Sequence, residues 1–217
     1  MRFLSEILDL LFPPKCIFCG KHFKNGEVCC CDACAKTLPF TKAADVSQKG
    51  NYFDECVSPL FYAGMVRKSI HRYKFKGAAA YADCYGKLLA ACIRDNLAGK
   101  FDLITWVPLS RNRERERGYD QAMLLACAAA LALGDVAAET LVKNANIPAQ
   151  SSLTGGETRR ANVIGVYDVK DHELVCGKRI LIIDDIITTG STLSECARTL
   201  LLAGAESVVG AALARAT

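Results

Sequence analysis

Two groups of residues in this chain have the types and the spacing for chemistry. The first is CIFCGKHFKNGEVCCCDAC, in which Cys16 and Cys19 form one C-x-x-C pair and Cys31 and Cys34 form another. Two residues between thiolates let a tight turn aim both sulfurs at one ion, and two such knuckles complete a tetrahedral site for zinc, with iron as the other tetrathiolate ion. Cys29 and Cys30 adjoin the second pair and leave its register open, and His22 is a further ligand type nearby. Four protein ligands close the coordination sphere, so this ion is expected to build structure and not to carry out chemistry. A redox dithiol would call for one C-x-x-C at a helix start in a thioredoxin-like unit, a context this stretch lacks.

The second group is RILIIDDIITTGST, residues 179–192. An apolar run leads into Asp184 and Asp185, and two residues later come Thr188, Thr189, Gly190, Ser191 and Thr192. The run reads as a buried strand that delivers the two acids at its carboxyl end. STLSECARTLLLAG reads as a helix, with Leu193, Cys196, Ala197, Leu200 and Leu201 at helical spacing. The loop between them therefore ends on a helix N-terminus, where free amides, a glycine and hydroxyls make a cradle for phosphate. Carboxylates beside a phosphate repel it unless they bond sugar hydroxyls or help hold a metal ion. A ribose 5-phosphate meets both demands. One acidic pair or one Thr-Thr-Gly turn would by itself be an ordinary cap or turn; the full order is far more specific. Competing phosphate motifs are missing: there is no Gly-Lys-Ser of a P-loop, no G-x-G-x-x-G and no D-x-D nucleophile loop.

These groups need a scaffold, and the remaining sequence supplies one. At 217 residues and 51% hydrophobic the chain can bury a full core with a small appendage. A formal charge of +4 permits a polyanionic partner without implying one. No apolar run reaches the length of a bilayer span, and MRFLSEILDLLF, with Glu6 and Asp9, reads as an amphipathic helix stopped by Pro13 and Pro14 and not as a signal peptide. A cytoplasmic location is expected. Outside the N-terminal cluster, Cys84, Cys92, Cys127 and Cys196 sit among apolar residues and are expected to be buried small hydrophobes. TKAADVSQKGN reads as a connector between a zinc module over residues 1–45 and a domain over 51–217.

Within that domain, strand-like and helix-like patterns alternate. Residues 55–62 look extended, VRKSIHRYKF helical, and ADCYGKLLAACIRDNLAG a second helix with Leu88, Leu89, Cys92 and Ile93 on one side. FDLITWVPL is a strand covered on both faces and ended by Pro108. YDQAMLLACAAALAL gives a helix with an expected stripe of Leu124, Leu125, Ala128, Leu131 and Ala132. TLVK, VIGVYDV and SVVGAALAR read as further strands. The alternation predicts an α/β fold with a parallel sheet flanked by helices. His22, His71 and His172 are scattered and read as surface or satisfied residues.

IIDDIITTGST resembles the phosphoribosyl pyrophosphate (PRPP) motif of type I phosphoribosyltransferases. The wider chain resembles the ComF (GntX-like) family of competence-associated proteins. That resemblance runs over a double cysteine knuckle after LFPP, then FYAGMVRKSIHRYKFKG, VPLSRNRERERGYDQAMLLA, PAQSSLTGGETRRANVIGVY and the PRPP motif. It implies a five-stranded parallel sheet with a hood, PRPP and magnesium as ligands, and a role in handling incoming DNA. By the same resemblance Asp184 and Asp185 would bind the ribose hydroxyls directly or through magnesium, and Thr188 to Thr192 would wrap the 5-phosphate. Arg111 or Arg113, in the stretch similar to a pyrophosphate loop, would meet the diphosphate, since Arg offers forked donors; Lys74 and Lys76 are second choices. The chain departs from the family pattern at Asp120, usually Asn, and at Asn144, Ala145 and Ile147 before Gln150.

The expected activity is displacement at the ribose anomeric carbon, catalysed by positioning and electrostatics with no covalent nucleophile. The alternative is a binding module. Arginines of the charged stretch RNRERERGYD, with Tyr73, Phe75 and Tyr119, would then form a basic groove for single-stranded DNA, and competence-machinery proteins would be partners.

Overall fold

The computed structural model describes residues 15–23, 29–144 and 165–216. The N-terminal helix expected before Pro13, the whole PAQSSLTGGETRRAN stretch with Gln150, and Ala145 and Ile147 just ahead of it lie outside them. In chain order the described elements are α1 (Asp32–Ala35), β1 (Ser47–Gln48), β2 (Cys56–Val57), β3 (Leu60–Phe61), α2 (Gly64–Phe75), α3 (Tyr81–Leu97), β4 (Leu103–Trp106) and α4 (Arg111–Arg117). They continue with α5 (Gln121–Leu133), β5 (Leu141–Lys143), β6 (Tyr167–Val169), α6 (His172–Val175), β7 (Arg179–Ile187), α7 (Ser191–Leu202) and β8 (Ser207–Arg215).

The main sheet runs β1-β2-β8-β7-β4, with β3 also paired to β8. Strands β4, β7 and β8 are parallel, and β2 and β3 take successive parallel places along β8. β1 is antiparallel at the edge. Where the resemblance implies five parallel strands, the outer place is thus shared by two short strands broken at Ser58–Pro59, because Pro59 has no N–H to give to a ladder. The stretch expected as a connector also contributes, since Ser47 and Gln48 pair with Val57 and Cys56. β5 and β6 form a separate antiparallel pair.

β7 and β8 are buried nearly end to end, so their side chains alternate between two cores. Leu181, Ile183, Val209 and Leu213 pack with Leu89 of α3 and Leu125 of α5. Ile180, Ile182, Val208 and Ala212 pack with Cys196 and Leu200 of α7. Helices α3 and α5 approach closely at Gly86, where an added Cβ would lie 2.5 Å from the Ala128 Cβ.

Three expectations change. The buried face of α5 is Ala122, Leu125, Ala126, Ala129 and Ala130, and Leu131 is 78% exposed. An alanine-rich helix carries too little polar contrast to set its rotational phase, and packing against α3 sets it instead. Cys127 is exposed, and Cys84 is half-buried in a disulfide with Cys29, while Cys92 and Cys196 are buried as expected. RNRERER, whose first residues fall in the stretch compared with a pyrophosphate loop, is a short helix closed by Gly118 at φ 81, whose N–H bonds the Glu114 carbonyl.

Candidate functional site

The four cysteines of the two knuckles come together. The Sγ atoms of Cys16, Cys19, Cys31 and Cys34 all lie within 4.8 Å of one another. Cys19 Sγ and Cys31 Sγ are 3.7 Å apart, against an edge of about 3.8 Å for a tetrahedron with ~2.3 Å zinc–sulfur bonds. The donor set and its size therefore fit structural zinc. Burial by itself would raise the Cys16 thiol, but the N–H groups of Cys19, Cys31 and Phe18 outweigh it and hold its pKa at about 6. Burial pushes Cys34 up and Cys30 to about 12. Of the two cysteines that left the register of the second knuckle open, Cys29 bonds Cys84, and Cys30 Sγ donates to the Cys31 carbonyl; neither is in the quartet. His22 is in an exposed bridge with Lys15, outside the quartet.

At the second site the strand does not stop at the acids. β7 continues through Ile187, so Asp184 and Asp185, adjacent in sequence, leave on opposite faces of the sheet. Asp185 joins the side of α2, is 4% exposed and pairs through Oδ1 with Lys74 Nζ at 2.8 Å. Its Oδ2 is buried with no hydrogen-bond partner among the described residues. Asp184 is half-buried and lines a cavity of about 40 Å³ with Ile186, Thr188, Thr189, Ser191 and Thr192. A single water needs about 10–15 Å³ of such volume, so the cavity has room for a few water-sized groups. Burial, with the neighbouring Asp185 charge, raises the pKa of Asp184.

The loop owes its shape to Gly190, which holds φ 74 at the N-terminus of α7. A Cβ there would also meet the Phe53 ring at 3.3 Å. Thr189 Oγ1 and Ser191 Oγ are 2.8 Å apart, so the hydroxyls already converge. Below the loop, Glu195 is 5% exposed; it accepts from Arg198 Nε at 2.9 Å and from the Gly165 N–H at 2.6 Å.

The arginines expected at the diphosphate lie on α4, where Arg111 and Arg113 are exposed. Arg111 lines a second cavity of about 470 Å³ with Trp106, Asp120, Met123 and Lys143. Lys143 was not read from the sequence, where nothing distinguishes it. It is half-buried, burial and the Arg113 charge lower its pKa, and it lies within electrostatic reach of Asp184. Lys74 is tied to Asp185, and Lys76 is exposed at the end of α2. Asp120 serves the backbone. Its Oδ1 accepts from the Ala122 and Met123 N–H groups, and its Oδ2 from the Leu109 N–H. It thereby caps α5 and fastens the VPLS turn to it.

Residues 120–216 match the model of the phosphoribosyl transferase domain, and residues 7–50 that of the double zinc ribbon domain. Competence protein ComFC of Bacillus subtilis is 31% identical over 149 residues, which cover 68% of this chain and 58% of that protein. Competence protein F of Haemophilus influenzae is 27% identical, covering 93% of this chain and 90% of its own. The DNA utilization protein YhgH of Escherichia coli K12 is 26% identical over 92% and 96%. Among solved structures, the allosteric regulatory enzyme of purine biosynthesis aligns with 61% of this chain and 26% of its own, at 23% identity and a TM-score of 0.43. With its α/β sheet, its cysteine quartet and these matches, the chain belongs to the ComF-type proteins, in which a double zinc ribbon precedes a phosphoribosyltransferase-like domain.

Proposed function

We propose that this protein binds PRPP with magnesium at Asp184–Thr192 and acts as a phosphoribosyltransferase in DNA uptake or utilisation, the setting named for its relatives. In this reading residues 1–45 are the zinc module, 51–217 the sugar-phosphate domain, and the protein works in the cytoplasm. Among the described residues no helix is long and apolar enough to cross a membrane.

The observation that carries the proposal is the pairing, on one strand end, of a buried carboxylate oxygen without a partner among the described residues, Asp185 Oδ2, with a hydroxyl-lined cavity at a helix N-terminus. Such an oxygen calls for a cation or a hydroxyl donor, and both come with a magnesium-bound ribose. The donor set suits a hard, oxygen-preferring ion. The Thr188–Thr192 amides and hydroxyls would hold the 5-phosphate, Asp184 and Asp185 the sugar hydroxyls, and Arg111, Arg113 and Lys143 the diphosphate. Bound magnesium would supply further positive charge against the departing pyrophosphate. The residues would contribute by fixing the anomeric carbon in line with the acceptor and by offsetting the leaving group's charge. Calorimetry with PRPP and magnesium tests this. Wild type is expected to bind, and Asp184→Asn with Asp185→Asn to lose binding; equal affinities would sink the assignment.

A second reading, single-stranded DNA binding, is favoured by one surface. α2 contains no acidic residue and exposes Arg67, Lys68, His71 and Phe75. Phe75 is 56% exposed, with the Arg117 guanidinium 4.7 Å above its ring. The aromatic platform is narrower than the sequence suggests: Tyr73 is fully buried, and the Tyr119 hydroxyl donates to the Tyr73 carbonyl. Oligonucleotide affinity that falls steeply with salt, without acceptor-dependent pyrophosphate release, would favour this reading.

A further inference from the structure

We propose that Arg72 is a positioning residue that ties the metal knuckle to Asp185, so that the zinc module sets the placement of the sugar-binding acid. The functional half of this inference rests on the sugar-phosphate reading above; the mechanical half does not.

The connection is a short, rigid path along α2. The Arg72 guanidinium donates to the Ile17 carbonyl at 2.8 Å and to the Phe18 carbonyl at 2.8 Å. Both carbonyls belong to the turn between Cys16 and Cys19, so their positions follow from chelation by the pair. Ser69, one turn earlier and fully buried, also donates to the Ile17 carbonyl, and its hydroxyl lies 2.5 Å from the Tyr85 hydroxyl. Two residues beyond Arg72, Lys74 pairs with Asp185. Between them Tyr73 is pinned, its hydroxyl donating to the Gln121 carbonyl at 2.7 Å.

A helix rises about 1.5 Å per residue, so Arg72 and Lys74 are about 3 Å apart along the axis and cannot move independently. The knuckle turn, α2 and the acid of β7 therefore form one chain of directed bonds. Asp185 has its other oxygen without a partner among the described residues, so Lys74 is the contact that orients the carboxylate before a ligand arrives. When the knuckle opens, Arg72 and Ser69 lose their acceptors, the end of α2 loses its register and Asp185 loses its fixed orientation.

The test uses the full chain with its metal and the variants Arg72→Ala, Arg72→Lys, Ser69→Ala and Lys74→Met. Hydrogen exchange of amides 184–190 in ligand-free protein reads the mechanical link, elemental analysis reads the metal, and calorimetry reads PRPP–magnesium affinity. Arg72→Ala is expected to keep its metal, to speed exchange at 184–190 about tenfold and to weaken PRPP about tenfold, with Lys74→Met adding less than about twofold to it, as for two members of one path. Arg72→Lys, which keeps a cationic donor, should restore both readouts to within about threefold. Chelating the metal should speed exchange at 184–190 in wild type and add nothing in Arg72→Ala. Unchanged exchange in Arg72→Ala, or losses that simply add with Lys74→Met, would overturn the proposal. Should Arg72→Ala fail to fold, Ser69→Ala decides on the same readout, with a rise of about threefold expected and no rise overturning it. If wild type does not bind PRPP, the sugar-phosphate reading fails by itself, and exchange at 184–190 alone decides whether the knuckle and the acid are linked.

Discussion

The metal knuckles and the sugar-phosphate loop are both built from residues crowded together in sequence, yet they take their geometry from different ranges of the chain. In the knuckles the spacing is nearly the whole answer: two residues between cysteines make the turn, and the four sulfurs converge. In the loop, neighbours in sequence are separated by the fold. Asp184 lines the cavity of its own loop, whereas Asp185 turns to Lys74, far earlier in the chain and on another element. A site of short-range chelates should fail all at once when one ligand is lost, and a site assembled across elements should fail in graded steps.

The largest effect expected is at the knuckle. Cys19→Ser should abolish metal binding, since chelation in small zinc units is worth about 10–16 kcal/mol; elemental analysis and melting of the N-terminal module check this. A variant that keeps a full equivalent of metal would mean that Cys30 can replace a ligand and that the comparison is too sharp. Next comes Asp185→Asn. It should weaken PRPP–magnesium binding at least tenfold and, by leaving Lys74 without its counter-charge, lower stability by about 1–3 kcal/mol, as read by denaturant unfolding. Loss of binding with no loss of stability would mean that Lys74 finds another partner.

A smaller effect is expected beneath the loop. The Arg198 guanidinium and the Gly165 N–H outweigh the effect of burial and hold the Glu195 carboxyl below its ordinary range. A depressed carboxyl stabilises the fold above its unfolded pKa, and that stability is lost as pH falls through the folded pKa. Wild type should therefore exceed Glu195→Gln by about 1 kcal/mol at pH 7, with the difference disappearing in acid; parallel unfolding curves across pH 3 to 7 measure it. The smallest effect is expected at Phe75. Phe75→Ala should leave PRPP affinity unchanged, and if the basic face of α2 binds single strands it should weaken them about fivefold, or ~1 kcal/mol.

Much of this architecture was legible in the residues alone, and the exceptions share a cause. Strands β4, β7 and β8, helices α2, α3 and α7 and the cysteine quartet follow from apolar runs, helical spacing and C-x-x-C pairs. The rotational phase of α5 did not, because its alanines offer no polar face for contrast. The Cys29–Cys84 bond did not either, since pairing of distant cysteines depends on which surfaces meet. Lys143, Arg72 and Ser69 carry no local signal; they matter through atoms that the fold brings near.

By itself, then, the sequence determined what depends on neighbours along the chain: the chelating turns, the buried strand that carries two acids, and the glycine at φ 74 that opens α7. Tertiary structure alone decided which way each acid points and what it meets. A strand turns successive side chains to opposite faces, and only the packing of α2 on one face and α7 on the other gives one acid a lysine and the other a cavity.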